Sequence, residues 1–260
     1  MADHILYEVQ DGVATITIDR PDKKNAMTYE MLGNFIEVVR RAGGDPDARV
    51  VIVTGVPGAF CAGTDLADLA TIPGEERGLR GSAEDRERWW PLVECPKPVI
   101  AAIDGPAVGM GAEFTSQCDI RLATPNARFA WNFAHRGLVP DTGAGSWLLP
   151  RLIGPARALR LLYTGEFLSA REALDIGYVA AVVDPKELSA EARSLAEAIM
   201  QGSPFSHARI KGLVYEGLGS DVAGHMQRHT HALAECFKSY DHTEGVAAFL
   251  ERRPAKFTGT

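Results

Sequence analysis

This chain lacks several things, and each absence narrows what it is. No uninterrupted apolar run approaches the roughly 20 residues of a membrane-spanning helix. Its four cysteines, Cys61, Cys95, Cys118 and Cys236, form no CxxC pair. Neither a disulfide framework nor a cysteine zinc site is therefore written in the spacing, and free thiols in a reducing compartment are expected. Positive charge is in deficit: 27 Lys and Arg face 34 Asp and Glu, for a net −7. Nucleic acid and anionic membrane surfaces are poor candidates for the main partner. There is no short internal repeat and no low-complexity tract. The first residues, MADHILYEVQ, have neither a basic stretch nor an apolar stretch of signal-peptide type, so a cytoplasmic location is expected.

What remains is a chain of 260 residues, 46% of them hydrophobic, enough for one large core with an appended piece. ILYEVQ and VATITI alternate around Asp11-Gly12, a hairpin signal. Thr28 can cap a helix carrying Met31, Leu32, Phe35, Val38 and Val39, which Gly43-Gly44 ends. RVVIVTG and KPVIAAIDG read as buried strands. CDIRLAT, ARFAW and YVAAVV read as further strands. GAGSWLLPRLIG and PARALRLLYTG read as helices, and Ser169 with Glu172 forms a capping box. From about Lys186 to Leu250 the pattern is helical, with breaks at Gly202-Ser203-Pro204 and near Gly219-Ser220. Residues 72–90 are charged and glycine-containing, and are expected to be a mobile segment leading into a helix. The whole is an α/β body followed by a helical region.

Two small-residue loops follow buried strands, AFCAGTDL at 59–66 and GPAVGMGAE at 105–113. Gly and Ala let another molecule approach bare main chain. Where such a loop opens a helix, the first N–H groups have no intrahelical partner and can donate to an anion or a developing oxyanion. The plainer reading is two strand-to-helix turns whose glycines relieve crowding. Glu113, after the second loop, can be a first-turn acid that offsets the helix dipole. Asp141, after Pro140 and before a helical pattern, can be a simple N-cap.

AFCAGTDL and IAAIDGPAVGMGAEFTSQCDIRLATPNARFAWN resemble the two signature segments of the crotonase superfamily, the enoyl-CoA hydratases and isomerases. VATITIDRPDKKNAM, GLVPDTGAGSWLLPRLIG, AREALDIGYVAAVV and FLERRPAKF fit as well, in order, over nearly the whole chain. The resemblance implies a crotonase-type spiral of ββα units over residues 1–198. It also implies a helical C-terminal oligomerisation region over 199–260, with assembly as a homotrimer or dimer of trimers. It implies an acyl-CoA substrate, and no cofactor beyond that coenzyme A moiety.

The resemblance also assigns residues. A thioester carbonyl would sit between the backbone N–H groups of Thr64 and Met110. Met110 stands where relatives often have Gly, and its side chain could narrow the acyl pocket or simply pack in the core. Coenzyme A would meet Lys23, Lys24 and Ala26, then Ala62, Gly63, Asp65 and Leu66, and Lys256 and Phe257 from the C-terminal region, often a neighbouring subunit's. On its own, the Lys pair is ordinary solvated surface. Trp89, Trp90, Trp131, Phe133 and Leu138 would line the acyl pocket, although Trp89 and Trp90 could equally anchor a helix.

Glu113 occupies the position of the first hydratase carboxylate. The second falls on Phe133, which cannot transfer a proton. Asp141 is its best replacement, because some family isomerases and a dehalogenase place their working carboxylate there, and Phe133 and Trp131 could raise its pKa. The expected function is double-bond chemistry on an enoyl-CoA, leaning to isomerisation of a 3-enoyl to a 2-enoyl thioester. Hydration by Glu113 and Asp141 together, or a non-catalytic acyl-CoA binder, are the alternatives.

Other signals are weak. His225 and His229 share a helix face, but His231 points away and no carboxylate completes a metal set. GMGAEF lacks the third glycine of a dinucleotide fingerprint. GAGSW lacks the second glycine of a nucleophile elbow, so Ser146 is expected to be structural.

Overall fold

In a computed structural model of the chain, residues 4–71 and 90–260 are described. The expected mobile segment, apart from Trp90, and with it Trp89, lies outside them.

Strands β1 (Ile5–Gln10) and β2 (Val13–Ile18) pair antiparallel across Asp11 and Gly12. Both turn residues have positive φ, +49° and +82°, which matches the right-handed twist of the flanking strands. Helix α1 (Tyr29–Gly44) follows, with Met31, Phe35, Val39 and Ala42 buried along one stripe and Thr28 accepting from the Met31 N–H. The helix carries the chain back so that β3 (Val50–Gly55) runs parallel to β2. Parallel pairing continues through β4 (Val99–Ile103), β6 (Ile120–Ala123) and β9 (Ala181–Val182). The order in this sheet is β1-β2-β3-β4-β6-β9. YVAAVV therefore contributes only a two-residue strand.

The strands of the large sheet face two cores. In β3, Val51 and Val53 enter one apolar cluster with Phe35, Phe60 and Phe114. Val50 and Ile52 enter a second cluster with Leu188, Ala192 and Ala196 of the helix Leu188–Met200. Burial on both faces explains why these strands read as continuous apolar runs. That helix runs to Met200, two residues beyond the expected core boundary, because its apolar stripe belongs to the sheet.

A second, smaller sheet joins β5 (Pro106–Val108), β7 (Arg128–Ala130) and β8 (Leu168–Ser169). Single parallel bridges, Cys61 to Ala107 and Met27 to Thr64, extend it. Successive turns of the chain thus repeat one path: a strand in the large sheet, a short extended piece in the small one, then a helix. The turn from β3 passes through residues 61–64 into α2 (Leu66–Ala70). The next passes from β4 through β5 into a buried helix, Met110–Gln117. The two glycine loops occupy equivalent corners of neighbouring turns. The last three helices, Pro204–Gly217, Val222–Lys238 and Tyr240–Glu251, form the C-terminal region. No helix among the described residues is long and apolar enough to cross a membrane.

Candidate active site

The helix Met110–Gln117 is buried at all eight positions. Its C-terminal carbonyls are satisfied by Arg121, whose guanidinium donates to Cys118 O at 2.6 Å and Thr115 O at 3.2 Å. That cation also opposes the negative end of the helix dipole. The N-terminal end opens from Gly109, whose φ of +54° and ψ of −121° suit glycine. Here the two loops touch. Val108 N–H donates to Cys61 O at 2.9 Å. A Cβ on Gly63 would lie 2.7 Å from Val108 O and 3.6 Å from Met110 N, and one on Gly111 would lie 2.1 Å from Cys61 O. The glycines are there because two backbones meet.

Neither the Thr64 nor the Met110 N–H donates to another described residue. Both residues line one cavity of about 500 Å³, together with Ala62, Gly63, Leu66, Phe133, Leu138 and Asp141. Eight of the residues singled out in the sequence therefore converge. Tyr29, Leu32 and Arg136 line it too, and were not foreseen.

The carboxyls differ sharply. Glu113 is fully buried and is not a cavity-wall residue. Its Oε2 accepts from Thr142 Oγ1 at 2.8 Å, while Oε1 makes no hydrogen bond with any described residue. Burial pushes its pKa up to about 8. The N–H of Gly145, the Thr142 hydroxyl and the N–H of Ala144 oppose the rise, and the charge of nearby Asp141 adds to it. Asp141 keeps a water-accessible face on the cavity wall. Protein closes round it on the other sides, and the lost hydration raises its pKa to about 6 against the N–H groups of Thr142 and Asp141 itself.

The remaining candidates fall in three places. Lys23 and Lys24 are exposed in a short loop clamped onto residues 59–65. Ala62 N–H donates to Lys24 O at 3.0 Å, Met27 N–H to Gly63 O at 2.8 Å, and the buried Asn25 amide to Ala59 O at 2.7 Å. Arg20 fastens the same pair of loops, donating to Ala26 O and Asp65 Oδ2, both at 2.8 Å. Asp65 caps α2 by accepting from Ala67 and Asp68. Its pKa is lowered first by the Arg20 hydrogen bond. Trp131 is fully buried, edge-on to Tyr178 at 5.3 Å, and is not among the cavity-wall residues. Trp90 is half-buried and donates from Nε1 to Thr142 O at 2.8 Å. Lys256 and Phe257 lie in the tail after the last helix, where Phe257 lines a separate cavity with Phe249 and Leu250. Arg20, Asn25 and Thr142 were missed as site builders. Their only sequence signal was adjacency: two lie in the Lys23–Lys24 loop, and the third follows Asp141.

Two backbone N–H groups and an accessible carboxyl line one cavity, with a buried carboxyl of raised pKa close to that carboxyl, on a crotonase-type α/β fold. The chain belongs to the enoyl-CoA hydratase/isomerase family, whose family model matches residues 8–260. It is 36% identical to a probable enoyl-CoA hydratase of Rhodobacter capsulatus over 98% of both chains. It is 37% identical to the 1,2-epoxyphenylacetyl-CoA isomerase of Escherichia coli over the full length of both. Among solved structures, an enoyl-CoA hydratase from Bacillus anthracis superimposes with a TM-score of 0.92 at 31% identity, covering 99% of this chain and 100% of that one.

Proposed function

We propose that this enzyme moves the double bond of a 3-enoyl-CoA thioester into conjugation, with Asp141 as the proton carrier. Asp141 takes a proton from C2, and the electron pair delocalises onto the thioester oxygen as a dienolate. The Thr64 and Met110 N–H groups hold that oxygen, each contributing about 3 kcal/mol in the transition state by analogy with other oxyanion holes. Asp141 then returns the proton to C4, giving the 2-enoyl thioester. Residues alone carry this proton transfer. Lys23 and Lys24, exposed beside Ala62, would meet the nucleotide phosphates.

One observation carries the reading. Asp141 faces the cavity with a pKa near 6, so it is ionised at neutral pH yet able to hold a proton, while Phe133 stands where a second acid is needed for hydration. The electrostatic coupling of Glu113 to Asp141 favours a second reading, hydration of a 2-enoyl thioester by the pair. Absorbance of the conjugated thioester separates them: a rise with 3-enoyl-CoA supports isomerisation, and a fall with 2-enoyl-CoA supports hydration. Asp141→Asn should lower turnover about 10²- to 10⁴-fold; an unchanged rate removes Asp141 from the mechanism. The pH profile of kcat/KM should fall on the acid side near pH 6, as the base becomes protonated.

We also propose that copies of the chain assemble as trimers through the C-terminal helices, where Phe249 is 84% exposed and Leu250 74%.

A further inference from the structure

Thr142 has a hydrogen-bond inventory that can be closed. A threonine hydroxyl has one proton and two lone pairs. Ala144 N–H donates to Oγ1 at 3.4 Å, and Gln117 Nε2 donates to it at the same distance. Both acceptor positions face N–H donors, the Gln117 amide being turned with Nε2 toward the hydroxyl. The hydroxyl proton is left for Glu113 Oε2, 2.8 Å away. The Thr142 carbonyl is held from the other side by the Trp90 indole N–H at 2.8 Å.

We infer that Thr142 is a positioning residue that ties the Glu113 carboxyl to the Asp141 loop and assigns Glu113's exchangeable proton to Oε1. A proton on Oε2 would have to point at a hydroxyl whose lone pairs are already taken. Oε1 makes no well-aligned hydrogen bond with a described residue and lies against Gly145, where an added Cβ would collide with it. In its neutral form Glu113 therefore presents an O–H from Oε1 and a carbonyl oxygen, Oε2, capped by threonine. Asp141 is the charged group that faces this carboxyl, and the N–H groups of Gly145 and Ala144 approach it from the following helix. The inference rests on the reading above for its use in catalysis, but not for its test.

The test titrates Glu113 directly. Glutamate carboxyl carbons are labelled with ¹³C, and Glu113→Gln identifies the Glu113 resonance. Thr142→Val removes a donor that favours the ionised form, so the midpoint should rise from about 8 by about one pH unit, and Thr142→Ser should restore it. At pH 5, the infrared C=O stretch of the protonated carboxyl should move to higher frequency in Thr142→Val, since Oε2 has lost its donor. A threonine that merely caps the next helix would lower thermal stability and leave both signals in place, which overturns the inference. If Thr142→Val does not fold, Thr142→Ala is read the same way. Neither signal involves turnover, so a failed isomerase assay with a shifted titration condemns the reading and spares this inference.

Discussion

Glu113 is the residue at which burial works against stability. Its carboxyl is buried without full hydrogen bonding, and its pKa rises from about 4.5 in the unfolded chain to about 8. Between those values the folded protein holds a proton that the unfolded chain has released. Folding stability therefore falls as pH rises through this window, and the cost is fully present above pH 8. The difference amounts to at most about 5 kcal/mol. Asp141 acts with the same sign, but its window closes near pH 6. Burial lowers the His207 pKa, which gives a slope of opposite sign that ends near pH 7, so unfolding free energies measured in urea from pH 7 to 8 report Glu113. Glu113→Gln, which cannot ionise, should flatten the decline and be more stable than wild type at pH 8. An equally steep decline in the variant would show that some other group is responsible.

At the scale of elements, the spiral depends on where one turn can lie against the next. Gly111 lies in the first turn of the buried helix, and a Cβ there would meet Cys61 O and C, backbone atoms that cannot swing aside. Gly33, in the middle of α1, has nothing within 4 Å of its own added Cβ and is exposed. The same substitution should have opposite signs at these two sites. Gly33→Ala should add about 0.5–1 kcal/mol through helix propensity. Gly111→Ala should cost about 3 kcal/mol or more, since overpacking against backbone has no soft neighbour to relieve it. Urea melts of the two variants decide, and a tolerated alanine at 111 would mean that the two turns are not locked together. The sequence showed both glycines but not this contrast. The hairpin at Asp11-Gly12, the cap at Thr28 and the capping box at Ser169 were legible because each is a local rule with a fixed offset. The Cys61–Ala107 and Met27–Thr64 bridges were not, because one-residue pairings leave no periodic trace. Thr142 was invisible for a related reason: its importance lies in three long-range partners and not in its neighbours along the chain.

At the scale of the molecule, one part of the surface does not suit a free monomer. Phe237, Tyr240, Val246, Phe249 and Leu250 are all 47% or more exposed on the last two helices. Clustered exposure of this kind marks a surface that something covers. Nearby, Glu244 is fixed by a bidentate pair with Arg253 at 2.6 and 2.8 Å, and its Oε1 accepts from Lys256 N–H. The Arg253 hydrogen bonds hold its pKa down to about 2. These contacts set the direction of the last residues, including Phe257, which packs beside Gly245. An apolar face with a fixed tail is suited to symmetric burial against further copies, and in the proposed assembly Lys256 would reach a neighbour's surface. Light scattering should give three chain masses, or six, for the wild type. Phe249→Glu with Leu250→Glu should give one, because two charges cannot be desolvated without partners. A wild type that runs as a monomer at micromolar concentration would leave Lys256 and Phe257 with no role in a neighbour's nucleotide site. The cavity between the two glycine loops would then have to hold its ligand with residues of a single chain.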